Sequence, residues 1–295
     1  MSDYIISACA PADLTKEQFE EFDVKYIYFH YYVDDEHYYD DMGQTMSYQE
    51  FYKKMEEGSM TRTSQTNPEE FIKEFTPILE SGKDILHISL SSGISGVYNS
   101  AVVAKAELED QFPDRKIIVI DSLCASIGYG LFVKTLADMR KAGKSIDEVA
   151  KWGEENKIRL NHWVFVSDLK YLVRGGRLSK VSGALGSMLS LCPIIEVNSL
   201  GKLETRDKVR TKKKVIKELV NRMEAHAENG FDYSGEVFLS HSNIEDDAKE
   251  VARLVEERFP KMNGKVLINY IGTTIGSHTG PGAIALCFWG DERQE

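Results

Sequence analysis

The sequence predicts an α/β fold, with a mostly parallel sheet in the first half and a mixed sheet in the second. Three observations predict it. Short β-branched and apolar runs alternate with helical patterns as far as Lys157. Capping signals mark where several of those helices begin. Beyond Asn161 strand-like runs recur with few long helices between them.

In order, the first-half strand candidates are Tyr4–Ala8, Tyr26–Val33, Ile85–Leu90 and Lys116–Ile120. Ser47-Tyr-Gln-Glu50 has capping-box spacing and opens a helix with Phe51 and Met55 on one face. Asn67-Pro68-Glu69-Glu70 supplies an N-cap, a proline at the first helical position and an acidic first turn. Ser145-Ile-Asp-Glu148 repeats the capping-box pattern. In the second half the strand candidates are Trp163–Ser167, Ile194–Val197, Glu236–Ser240, Lys265–Tyr270 and Ile284–Trp289. The helix candidates there are Ser179–Ser190, Thr211–Glu228 and Ile244–Glu257. A composition break at Lys157–Asn161 divides the chain into an expected N-terminal α/β domain, residues 1–160, and a C-terminal one, residues 161–295.

Composition bounds the function. The 295 residues are 42% apolar and 28% charged, as in soluble globular proteins. A formal net charge of −11 argues against a nucleic-acid partner, which needs clustered basic residues. No stretch reaches the ~20 apolar residues of a spanning helix, and the N-terminus lacks a basic leader and apolar run. Cys9, Cys124, Cys192 and Cys287 are scattered, with no Cys-x-x-Cys pair and no histidine pair at ligand spacing. Buried thiols, a cytoplasmic location and no metal site are expected.

Four segments concentrate polar chemistry. Thr61-Arg-Thr63-Ser64-Gln65-Thr66-Asn67 gathers hydroxyls before the Pro68 helix, where free N–H groups and hydroxyls favour an anion. It also reads as a polar loop with an N-cap. Ser89-Leu-Ser91-Ser92-Gly93-Ile94-Ser95-Gly96 follows a predicted strand, at the carboxyl end where α/β sheets hold ligands. Tyr171-Leu-Val-Arg174-Gly175-Gly176-Arg177 sets two guanidinium groups around a glycine turn, suited to phosphate. Ile271 to Gly282 is a glycine-rich loop carrying His278 between two strand candidates. The other six histidines, His162 among them, have no comparable local context.

Other signals are weaker. Gly143-Lys144-Ser145 lacks the first glycine of a phosphate loop, Asp138 standing there, and no Gly-x-Gly-x-x-Gly supports a dinucleotide. Ser95 is followed by Val97 where a nucleophile elbow needs glycine. The acidic run Asp34-Asp35-Glu36 with Asp40-Asp41 reads as a solvated loop.

Taken in order, the polar segments resemble the DegV family, which includes the fatty-acid-binding subunits of bacterial fatty acid kinases. The resemblance rests on Thr63-Ser64-Gln65, on Leu90-Ser-Ser-Gly-Ile-Ser95-Gly96 with Tyr98-Asn-Ser-Ala101, and on Ile120-Asp121-Ser122. It continues through Tyr171 to Arg177, Lys208-Val-Arg210 and Ile275-Gly-Ser-His-Thr-Gly-Pro-Gly282, and so covers nearly the whole chain. It implies a two-domain DegV-like fold with one long-chain fatty acid, such as palmitate, stearate or oleate, buried between the domains.

The resemblance further implies that Thr63 and Ser95 hold the carboxylate, with Ser92 a second serine candidate and Ser64 and His278 in the same head-group set. Arg174 and Arg177 would contact phosphate or a separate kinase subunit that converts the carboxylate to an acyl phosphate for phospholipid synthesis. In that reading the chain is a carrier without catalytic residues or cofactor, and transient membrane contact is compatible with the role. The chain departs from the family pattern where Cys9-Ala10-Pro11-Ala12-Asp13-Leu14 stands for Asp-Ser-x-Ala-Asp-Leu, and where Thr66 replaces a proline. Two other readings stay open. One is a serine hydrolase or acyltransferase using Ser95 with His278 as base. The other is a phosphate-binding module anchored by Arg174 and Arg177.

Overall fold

The computed structural model describes residues 3–178 and 191–295. The expected helix Ser179–Ser190 lies outside the described residues.

A four-stranded parallel sheet forms the first layer. It comprises β1 (Tyr4–Cys9) and β2 (Val24–Ile27), joined later in the chain by β6 (Asp84–Ser89) and β7 (Ile117–Asp121), in the order β2-β1-β6-β7. Every residue of β6 is buried, as expected of a strand covered on both faces. Between β2 and β6 the chain makes a small antiparallel sheet of β3 (His30–Val33), β4 (Glu36–Tyr39) and β5 (Thr61–Ser64), ordered β4-β3-β5. The single strand expected over Tyr26–Val33 is therefore two strands in two sheets. The Thr61 segment, expected as a loop, is a strand.

The third sheet is mixed. β8 (Leu160–Phe165), β9 (Leu191–Val197), β10 (Leu203–Arg210), β11 (Phe238–His241), β12 (Leu267–Tyr270) and β13 (Ile284–Trp289) run in the order β10-β9-β8-β13-β11-β12. All neighbours are antiparallel except β11 and β12. This sheet starts at Leu160, just where the composition changes.

The helices are α1 (Lys16–Glu21), α2 (Tyr48–Glu56), α3 (Pro68–Glu80), α4 (Val97–Gln111), α5 (Ser126–Lys141), α6 (Ile146–Asn156), α7 (Lys170–Arg174), α8 (Lys212–His226), α9 (Glu245–Arg258) and α10 (Thr273–Thr279). Ser47 caps α2, while Asn67 and Ser145 complete reciprocal capping boxes on α3 and α6. α5 belongs to both halves: it follows β7 of the parallel sheet and packs against β11 and β13 of the mixed one. The largest apolar core accordingly runs from β1 and β6 through α5 to Leu160, Phe238 and Cys287. Cys9, Cys124 and Cys287 are buried free thiols and Cys192 is half-buried. Among the described residues no helix is long and apolar enough to cross a membrane.

Candidate functional site

β5 pairs with β3, placing Thr63 opposite Tyr31. Alternation then puts Thr61 and Thr63 on one face and Arg62 and Ser64 on the other. The threonine face meets α10: the Thr61 hydroxyl donates to the Ser277 carbonyl at 3.4 Å, and Thr63 Oγ1 lies 2.8 Å from His278 Nε2.

The glycine-rich loop expected around His278 is in fact α10. Its first turn is held by two carboxylates from far away in the chain. Asp13 accepts from the Gly272 amide at 2.9 Å, and Asp40 accepts from the Thr273 hydroxyl at 2.9 Å and the Thr274 amide at 3.2 Å. These contacts satisfy amides that a helix start leaves unpaired. Asp40 is therefore buried, not part of a solvated acidic loop; only Asp34, Asp35 and Glu36 of that run are exposed. Burial raises the carboxyls of Asp13 and Asp40 above the ordinary range, against hydrogen bonds that pull them back.

Burial, with help from the nearby Arg177 and Arg174 charges, pushes His278 down to about 3, so the ring is neutral. Its Nδ1 has no hydrogen-bond partner among the described residues and faces Gly175, where a Cβ would collide with it. With the single proton on Nε2, the ring donates to Thr63, and the Thr63 O–H is free to donate elsewhere.

Ser95 follows β6 at the carboxyl edge of the parallel sheet. Its hydroxyl donates to Gln65 Oε1 at 3.2 Å and accepts from the Val97 amide at 3.2 Å. Gln65 in turn donates to Ser100 Oγ at 2.9 Å, tying β5 to α4. Gln65 was not singled out by the sequence, although it completes the Thr-Ser-Gln triplet. The signal was present: an amide can both donate and accept.

These groups open on one cavity of about 330 Å³, within the usual range for small-molecule sites. Thr63, Ser64, Gln65, Ser95, Arg177 and His278 line one end, and Leu90, Val164, Leu172, Ile195, Val197, Leu203 and Ala285 are among its apolar walls. A second cavity of about 340 Å³ lies on the other side of Thr63, His278 and Arg177, which border both. Arg62, Arg174 and Met60 also line it, together with Asp34, Thr61, Gly175 and Ser277.

The expected residues thus divide. Thr63, Ser64, Ser95, Arg177 and His278 meet at the inner cavity. Arg174 lines only the outer one, with its guanidinium near Met60 Sδ and 5.2 Å from the Tyr171 ring centroid. Ser92 is the correction: it is exposed on the turn after β6, and borders neither cavity. Its amide donates to Asp121, whereas the buried hydroxyl of that turn is Ser91, which donates to the Gly201 carbonyl. Arg177 is anchored through its Nε to the Ile94 carbonyl at 3.1 Å, beside Ser95. Lys208 and Arg210 sit exposed on β10, away from both cavities.

The family model described as uncharacterised protein, DegV family, matches residues 10–291. The chain belongs to the DegV family. It is similar over its whole length, at 37% identity across 294 residues and with 100% of both chains covered, to a DegV domain-containing protein of Clostridium perfringens (strain 13 / Type A). Among solved structures it is similar to a Thermotoga maritima protein whose structure revealed a fatty acid binding function. Identity there is 26% and the TM-score 0.83, covering 99% of this chain and 100% of that one. It is also similar to a Ruminococcus gnavus DegV family protein refined with vaccenic acid, at 26% identity and TM-score 0.84, covering 96% of this chain and 99% of that one. The parallel and mixed sheets described above are thus a DegV fold.

Proposed function

We propose that this DegV protein binds one long-chain fatty acid, such as palmitate, stearate or oleate, in the inner cavity and presents its carboxylate to a separate kinase. The carrying observation is the cavity's polarity: the hydroxyl, amide, guanidinium and imidazole groups of Thr63, Ser64, Gln65, Ser95, Arg177 and His278 gather at one end, and the remaining lining is mostly apolar, with Ser126, His162, Thr274 and Thr279 among it. A carboxylate is costly to bury without several donors. Thr63, Ser95 and Arg177 supply them from three different elements, and neutral His278 orients Thr63. An acyl tail gains ~0.8 kcal/mol per buried methylene, about 10 kcal/mol gross for sixteen carbons before ordering costs. The fatty acids held by the Thermotoga maritima and Ruminococcus gnavus relatives support the same ligand class.

In this reading the chain is a carrier and needs no cofactor. The outer cavity, with Arg62 and Arg174 in its lining and Arg177 shared, suits the phosphate of a nucleotide delivered by the kinase subunit, which would then form the acyl phosphate for phospholipid synthesis. Cytoplasmic location and transient membrane contact belong to the same proposal.

The hydrolase reading is less well supported. Ser95 is hydrogen-bonded to Gln65 and the Val97 amide and makes no hydrogen bond with His278, and among the described residues no carboxylate orients that imidazole. Denaturing mass spectrometry of protein purified from bacteria tests the proposal directly. A long-chain fatty acid is expected at one per chain. No acyl chain as purified, and no uptake of added palmitate or oleate, overturns it.

A further inference from the structure

The inner cavity changes along its length. Its polar end is reached from the surface, since Ser64 is exposed and Ser95 and Arg177 are half-buried. Among the described residues the other end lies in the protein interior, where His162 and Val197 are each 1% exposed.

Strand register gives the direction. β8 pairs with β13, setting Val164 opposite Ala285 and His162 opposite Cys287. Val166, just past β8, packs with Leu172, Ile271 and Ala283 beside α7 and α10. Side chains two apart on a strand share a face, so Val164 and His162 of β8 follow one another in the cavity lining, leading away from the α7 and α10 end. At ~3.3 Å per residue they are about 7 Å apart.

Among the described residues, the space behind His162 is filled. A Cβ on Gly128 of α5 would collide with His162 Nε2, and fully buried Cys124, Ile127 and Cys287 belong to the core beyond. The ring is fixed at both nitrogens. Nδ1 donates to the Leu160 carbonyl at 2.9 Å, and Nε2 accepts from the Ala125 amide at 3.5 Å. Burial holds it uncharged, so an apolar chain end can rest on it without desolvating a cation.

We infer that His162 is the wall on which the acyl chain ends, and that it sets the longest chain accepted. The inference rests on the fatty-acid reading of the cavity. The test uses delipidated full-length protein offered an equimolar mixture of myristate, palmitate, stearate and arachidate, with the retained acids quantified by mass spectrometry. His162→Ala is expected to favour longer acids by about fourfold per methylene newly accommodated, equivalent to ~0.8 kcal/mol each. Ala285→Val, which adds bulk beside Val164 one step above His162, is expected to shift retention towards shorter acids. Unchanged ratios in either folded variant overturn the wall, and Ala285→Val carries the test alone should His162→Ala not fold. A wild-type protein that takes up none of the four acids overturns the fatty-acid reading itself, an outcome distinct from unchanged ratios.

Discussion

His278 and His162 line the same cavity, and burial keeps both rings uncharged, yet they stand at opposite ends and face different chemistry. At the mouth, His278 points Nε2 at a threonine hydroxyl, has two arginines nearby, and leaves Nδ1 without a partner among the described residues. At the floor, His162 has both nitrogens engaged by backbone and is backed by solid core. The difference teaches that an imidazole's role here is set by what surrounds it. A loosely satisfied ring beside donors can reorganise around a ligand's charge; a ring pinned at both nitrogens can only be a surface.

Substitutions at the two ends should separate these roles. The largest effect is expected in the apolar wall. Ile195 is fully buried in the cavity wall, so Ile195→Asp places an unpaired carboxylate in apolar surroundings. A loss of roughly 3–5 kcal/mol in urea unfolding is expected, with no lipid retained. Tight retention of palmitate by that variant would break the division between polar mouth and apolar wall.

At the mouth, Thr63→Ala should weaken fatty-acid retention by about 1–3 kcal/mol, since the hydroxyl is lost and His278 Nε2 loses its partner. Its unfolding midpoint should move little, because Thr63 is only half-buried, and Thr63→Ser should restore most of the binding. Equal losses in Thr63→Ala and Thr63→Ser by calorimetry would make the methyl, not the hydroxyl, the contact.

Acid sharpens the comparison further. His278 has a folded-state pKa near 3 against an ordinary 6.5, so the unfolded chain takes up its proton first as pH falls. Its contribution to stability is complete above pH 6.5 and is lost as pH falls from there towards 3. His278→Asn should flatten that loss by at most ~1.4 kcal/mol per pH unit in denaturation profiles. An unchanged slope would mean that folding does not lower the pKa of His278.

The smallest effect on binding is expected from Arg174→Ala, because Arg174 borders only the outer cavity. Retention should stay within ~0.5 kcal/mol of wild type, while phosphorylation of the bound acid by a partner kinase should fall. If both survive, the outer cavity has another use.

How much of this was legible beforehand follows from the range of the forces involved. α3 and α6 begin at the expected caps because Asn67 and Ser145 bond to amides three residues on. β6 and β13 appear within a residue of expectation because their buried runs are continuous in sequence. Thr-Arg-Thr-Ser carries no apolar alternation and so reads as a loop, and only pairing with β3 makes β5 a strand. α10 was read as a loop because glycine and threonine are poor helix formers; Asp13 and Asp40 nucleate it from positions more than two hundred residues earlier. That distance hides Asp40 in an acidic run, while His162 reads as unremarkable because its cavity position depends on packing against α5.

By itself, then, the sequence determined the alternating α/β layout, the capped helices, and the hydroxyl, glycine and arginine segments from which the mouth is made, since those properties are written in neighbouring residues. Tertiary structure alone decided that Thr63 meets His278, that Arg177 and not Arg174 reaches the inner cavity, that Ser92 turns outward, and that His162 closes the floor. Such pairings depend on strand register and on which backbones approach closely, and packing sets both only once the sheets have formed.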